Sequence, residues 1–259
     1  MTSTNNDALN PAIFEFVTRL GDDRLILGHK LSEWCGHAPI LEEDLALSNI
    51  ALDLIGQASS FLKYAGEIEG LGRSEDDLAY KRIENEFRNS LLSEQPNGDF
   101  AVSIAKQFFF DTFAYYLFSE LINSTEEKLA ALAAKSLKEI TYHLRHSSQW
   151  VIRLGDGTDE SHQRMQTAIN DLWMFTGDLF AQSDYDNILI ENKIIPQIKT
   201  IKEKWDMHIS TTLSQATLVL PPTDAYMQTG SRNGIHTEYL GYILADMQYL
   251  PSKYPDAKW

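Results

Sequence analysis

An all-α fold, an antiparallel bundle of long helices, is what this 259-residue sequence predicts, and three observations carry the reading. Apolar residues recur at three- and four-residue intervals along most of the chain, the period of an amphipathic helix. Glycine and proline are scarce, 14 and 8 of 259 residues, which leaves too few turn formers for many short strands. The one β-like run, Leu218-Val219-Leu220, is too short to build a sheet. No repeat, low-complexity tract or linker interrupts the pattern, so residues 1–259 are expected to form a single domain.

The first helix is expected over Pro11–Glu33, where Ile13, Phe14, Val17, Leu20, Ile26, Leu27 and Leu31 repeat; Pro11 suits a first turn, and Gly36 and Pro39 end the helix. Leu41–Ile68 follows. It is apolar nearly all round and so is expected to be buried on several sides, with Asn49, Asp53, Ser60, Lys63 and Glu67 as its solvated stripe. Ser74-x-x-Asp77 opens a shorter charged helix ending near Glu94, and Pro96-Asn97-Gly98 makes a turn that Asp99 caps. Phe100–Ile122 is a long aromatic-rich helix. Ser124-x-x-Glu127 reads as a capping box for Thr125–Leu154. Gly155-Asp156-Gly157-Thr158 is a tight turn with a C-capping glycine and an N-capping threonine, leading into Asp159–Phe180. After an irregular stretch come helices over Pro196–Ala216, which Pro221-Pro222 follows, and Thr237–Leu250, preceded by the turn Gly230–Gly234.

Composition narrows the function. Twenty-two Lys and Arg against 37 Asp and Glu give a net charge of −15, which argues against nucleic-acid or anionic-membrane surfaces that demand basic clusters. A single cysteine, Cys35, excludes an intrachain disulfide and Cys-ligated zinc or iron–sulfur centres within the chain. Residues 1–10 lack the basic-then-apolar layout of a signal peptide, and no apolar run approaches the roughly 20 residues of a membrane span. The expectation is a soluble cytoplasmic protein.

Few residue patterns suggest chemistry. The Gly155–Thr158 turn has no lysine and no preceding strand, so it is no phosphate loop. Cys35 and His37 flank a helix break and do not form a nucleophilic pair by spacing. Glu139, His143 and His146, at i, i+4 and i+7, share one helix face and make a metal-ligand set of one carboxylate and two imidazoles; the plainer reading is a surface face paired with neighbours such as Lys135. A carboxylate di-iron bundle needs Glu-x-x-His from two helices, and the chain contains none; Asp159-x-x-His162 sits at a helix start.

Longer stretches resemble a known family. Ser32-Glu33-Trp34-Cys35-Gly36-His37-Ala38-Pro39, Asn49–Ala58, Glu94–Gly98, Lys138–Arg145 and the tail His236–Gly241 with Met247–Leu250 and Trp259 are similar to the C subunits of the phenylacetyl-CoA 1,2-epoxidases, multicomponent oxygenases of aerobic phenylacetate degradation. The resemblance implies a ferritin-like bundle with added C-terminal helices. It implies a non-catalytic structural subunit without cofactor, partnered by a homologous di-iron A subunit and by other components, among them an iron–sulfur flavoprotein reductase. Carried over from the catalytic sibling, the six ligand positions fall on Glu33, Leu54, Gln57, Asp111, Ile140 and His143, so that three retain a ligating side chain and both motif glutamates have become apolar. The reading set against this is a stand-alone mononuclear metal protein using Glu139, His143 and His146. Trp34, Trp259, Tyr115 and Phe118 are the candidate anchors for a partner.

Overall fold

The computed structural model of the chain describes residues 3–222, 224–255 and 257, with side chains from Leu9 onward. Its long helices are α1 (Ser3–Ser32), α2 (Leu41–Glu69), α4 (Phe100–Leu121), α5 (Glu127–Gly155), α6 (Asp159–Thr176), α8 (Ile198–Gln215) and α9 (Glu238–Lys253). The short α3 (Glu75–Tyr80) and α7 (Asp186–Glu191) complete the set, and no strand occurs among the described residues. The expected all-α, ferritin-like architecture is therefore present. α1 pairs along its length with α2, α4 with α5, and α6 and α8 close on α4 from the far side.

Close approach marks the α1–α2 pair: a Cβ at Gly21 would fall 2.7 Å from Leu62 Cδ2, so a larger residue there would force the Leu62 side chain to move. α4 is the axis of the molecule. Sixteen of its 22 residues are buried, including Phe108, Phe109 and Phe110, as a helix without a polar face demands. Asp99 caps it as expected, accepting from Val102 N at 3.1 Å.

Several expectations need correction. α1 begins at Ser3, eight residues before Pro11, which lies inside the helix. The helix expected to run to Glu94 stops at Tyr80. Its continuation is a surface 3₁₀ turn at Glu84–Glu86 and then irregular chain threaded through the interior, where Asn89, Ser90, Ser93, Glu94 and Gln95 are all buried. Distant carboxylates replace the helical hydrogen bonds. Asp22 pairs with Arg82 and accepts from Arg88 N at 2.9 Å, Asp23 accepts from Ser90 N at 2.6 Å, and Asp178 accepts from Leu91 N at 2.9 Å. Buried backbone donors are thereby satisfied without secondary structure. Lys106, also buried, donates to Gln95 O at 2.6 Å and Asn97 Oδ1 at 3.1 Å; burial, aided by nearby Lys30, pulls its ammonium down to about 7.

The capping box at Ser124 does not form. Ser124 Oγ donates to Ile194 O at 2.8 Å, and the N-cap of α5 is Glu126. Thr158 does cap α6, accepting from Ser161 N at 3.2 Å, but Gly155 is the last residue of α5 rather than its left-handed cap. Its glycine serves packing, since a Cβ there would lie 2.4 Å from Ala216 O at the end of α8. α7 falls in the stretch expected to be irregular; the ion pair of Asp186 with Arg19, 2.8 Å, docks it on α1.

α2 departs most from expectation. By length and composition it is the one described helix able to cross a membrane, yet it is packed along α1 and touches α5. Its outer face is not the solvated polar stripe alone. Leu41, Leu45 and Leu52, on one face at i, i+4 and i+11, are exposed, Leu41 at 70% and Leu52 at 67%.

Candidate functional site

The interior of the α1, α2, α4 and α5 bundle holds a polar cluster on apolar walls. Leu54 and Ile140, at two carried-over ligand positions, are buried at 1% and 2% exposure and contribute only hydrocarbon. Arg24 on α1 is buried in the same bundle. Its guanidinium carbon lies 4.3 Å from the Phe118 ring centroid and 5.5 Å from that of Phe61, within reach of cation–π attraction to both. Arg24 Nε donates to Gln57 Oε1 at 2.9 Å and Nη1 to Leu20 O at 3.0 Å. Gln57 extends the network outward, its Nε2 donating to Glu139 Oε2 at 2.8 Å.

Asp111 faces the same interior from α4. It accepts from Gln107 Nε2 at 2.7 Å and Ser147 Oγ at 2.9 Å. Burial pushes its carboxyl up to about 6, against the opposing pull of His143, those two hydrogen bonds and Arg24. Arg24 is itself lowered to about 10 by burial, with Asp23 and Asp111 resisting. The carboxylate and the guanidinium thus favour each other's charged forms without forming a direct ion pair. His143 is buried, with Nε2 3.1 Å from Asp53 Oδ2 and Nδ1 without a partner among the described residues.

Three of the expected positions, Gln57, Asp111 and His143, do converge on the bundle interior. Glu33 does not: it lies past the end of α1 on the surface, bonded to Lys30 at 2.6 Å and Asn97 at 2.9 Å, and the residue of α1 that faces Gln57 is Arg24. A site with two apolar positions, an amide and a resident guanidinium does not fit a pair of iron ions, which need bridging carboxylates.

The alternative ligand set is likewise dispersed. Glu139 accepts from Gln57, His143 meets Asp53, and His146 Nε2 lies 2.8 Å from Glu43 Oε2. Each residue is engaged separately, and among the described residues no group of three or more His, Cys, Asp or Glu is gathered as a metal site. Cys35 and His37 are exposed, and His37 Nδ1 approaches Cys35 O rather than the thiol.

Of the candidate anchors, Phe118 is core, packed on Phe61 at 5.8 Å. Trp34 is half-buried, with Nε1 donating to Ser103 Oγ at 2.8 Å. Tyr115 and Tyr116 are partly exposed and stand against each other at 5.3 Å. Trp259 lies outside the described residues. Sequence reasoning missed Arg24; the charged triplet Asp22-Asp23-Arg24 inside an otherwise apolar helical run is its signal.

A family model described as phenylacetic acid catabolic protein matches residues 1–259. The chain is also 50% identical over 244 residues to the C subunit of the 1,2-phenylacetyl-CoA epoxidase of Escherichia coli (strain K12), a match that spans 94% of this chain and 98% of that protein.

Proposed function

The chain belongs to the phenylacetic acid catabolic protein family, and from that premise we propose that it is the non-catalytic structural subunit of a ring-1,2-phenylacetyl-CoA epoxidase. In this reading it docks and stabilises a homologous di-iron A subunit in aerobic phenylacetate catabolism in the cytoplasm, and with it presents a surface to the remaining components, including the reductase.

The observation that carries the non-catalytic role is Arg24. Its cation occupies the bundle interior where a di-iron sibling concentrates negative charge around metal, while Leu54 and Ile140 remove the carboxylates a metal pair requires. The polar cluster then acts as a hydrogen-bonded core element that fixes the register of four helices. The exposed leucines of α2 support docking. Leu41, Leu45 and Leu52 form an apolar stripe on a helix otherwise packed into the bundle, the type of surface that an obligate helical partner covers.

Co-expression of the two chains followed by gel filtration tests the reading. Joint elution at low and at about 0.5 M salt is expected of an apolar interface, since surface charge is largely screened at that strength. Separate elution at low salt would refute it.

A further inference from the structure

α9 is anchored at one end. Its buried residues, Leu240, Ile243 and Leu244, all fall in its first half, and Gln248, whose Nε2 donates to Arg82 O at 2.8 Å, ties the second half to the chain beyond α3. The end of α9 stands off the bundle and closes one side of a groove of about 540 Å³, whose other walls are the last turn of α1 and α3. The size lies within the roughly 300–1,000 Å³ typical of small-molecule sites. Its surface is mostly hydrocarbon and ring, with Tyr80 from α3 facing Met247, Leu250, Pro251 and Tyr254.

The polar groups around this apolar surface are unevenly engaged. Asp77 is committed on both oxygens, one to Lys81 at 2.6 Å and the other to Ser74 N at 2.8 Å. Lys81, the one Lys or Arg on the walls, is answered by that pair. Asp76 makes no ion pair or side-chain hydrogen bond among the described residues. It stands one turn before Tyr80 on α3, and its charge adds to burial in raising the Tyr80 phenol. Pro251 carries no N–H, so Met247 O, one turn earlier in α9, lacks its helical donor; both residues line the groove. Burial lowers His29 on the α1 wall, so at neutral pH that ring adds no positive charge. One uncommitted carboxylate and one uncommitted carbonyl thus border an apolar cleft that holds no free cation.

The geometry points to a binding site for a primary ammonium on a hydrocarbon stem, the ammonium at Asp76 and the stem along Met247, Leu250 and Tyr254. A compact ammonium with three donors suits acceptors that come from two separate helices, whereas a guanidinium fork needs them coplanar. A lone carboxylate on apolar walls is too poor a donor set for a metal ion. An anion would meet Asp76 and Asp77 without a cation to spare. A free alkylamine and the lysine side chain of a partner protein share this chemistry. The inference concerns this groove alone and does not rest on the proposed role in the epoxidase.

Calorimetry and saturation-transfer NMR on the full chain, with n-pentylammonium as the probe, test it. Pentylammonium is expected to show stem-proton saturation and measurable heat. Pentanol, with stem but no charge, should bind at least about ten-fold more weakly, and ammonium chloride, with charge but no stem, should not compete. Asp76→Asn leaves the Ser74–Asp77 cap in place and should weaken pentylammonium at least about ten-fold without changing pentanol. Leu250→Trp, at an exposed position, narrows the cleft with Asp76 still present and should abolish binding of both. Nα-acetyl-lysine amide separates the two sources: affinity equal to or above that of pentylammonium identifies a protein lysine, and its exclusion identifies a free amine. No stem saturation at millimolar probe, equal affinity in Asp76→Asn, unchanged binding to Leu250→Trp, or competition by ammonium chloride would each overturn the assignment. Binding that appears only after removal of residues 258–259 would also overturn it and give the cleft to that segment.

Discussion

Replacing Arg24 by Met is the most informative perturbation of the core. The guanidinium donates to Gln57 Oε1 at 2.9 Å and to Leu20 O at 3.0 Å, and it stacks 4.3 Å from the Phe118 ring centroid. Met refills much of the stem volume, so the cavity contribution is small. What is lost is a charged hydrogen bond to a buried amide, about 1.5–3 kcal/mol, and a desolvated cation–π contact of about 2 kcal/mol. Asp111 also loses a positive neighbour that holds its charged form. Against these stands the burial cost of the guanidinium itself, visible in its descent from 12.5 to about 10. Leaving the buried Gln57 acceptor unanswered costs about 1–3 kcal/mol, and we expect a net loss near 2 kcal/mol, or roughly 4–8 °C in Tm for a chain of this size. The double variant Arg24→Met/Gln57→Leu removes donor and acceptor together and should recover at least about half of that loss. Urea unfolding followed by circular dichroism measures both. A single-variant loss below about 1 kcal/mol, or a double variant worse than the sum of its parts, would refute the reasoning.

Asp111→Asn should stabilise the fold at pH 8 and leave it nearly unchanged at pH 4. The native carboxyl is raised from 3.8 to about 6, so its contribution is present below the unfolded value and lost as pH rises through about 6. The size of that rise sets a gain of about 1–3 kcal/mol, read from denaturation at the two pH values. Glu94→Gln should destabilise more at pH 6 than at pH 9. His236 is buried, which alone would lower it, but Glu94 at 2.9 Å, the Phe87 carbonyl and Asp22 together outweigh burial and raise it, so the stabilisation is fully present below about 6.5 and fades as pH climbs through the raised value. Gly155→Ala should cost about 1–3 kcal/mol, because its Cβ would meet Ala216 O at 2.4 Å and α5 would have to shift from α8; thermal melting reports it. Leu45→Glu and Leu52→Glu should leave the melting temperature of the isolated chain unchanged and abolish co-elution with the A subunit, since both side chains are exposed.

The long helices are legible because each buries an apolar face whose period shows in the sequence, as in α4 and α5. Residues 82–97 are not, because their backbone partners are the carboxylates of Asp22, Asp23 and Asp178, remote in sequence, and no local pattern encodes such pairing. Of the positions the resemblance carries over, Gln57, Asp111 and His143 are buried in the interior, whereas Glu33 lies past the end of the helix that Arg24 occupies more than one turn deeper. The outer leucines of α2 escape prediction for a related reason: periodicity gives the apolar circumference of a helix but not which arc a neighbour covers.

A bundle interior that presents Arg24, Leu54 and Ile140 lacks the bridging carboxylates a metal pair needs, and on that rests the proposal that the chain serves as scaffold. Iron content per chain, measured by elemental analysis on the purified protein after anaerobic loading with Fe(II) and desalting, tests it most directly. Iron far below one atom per chain is expected, with the loaded protein melting at the same temperature as the unloaded one; two tightly held iron atoms per chain would contradict it.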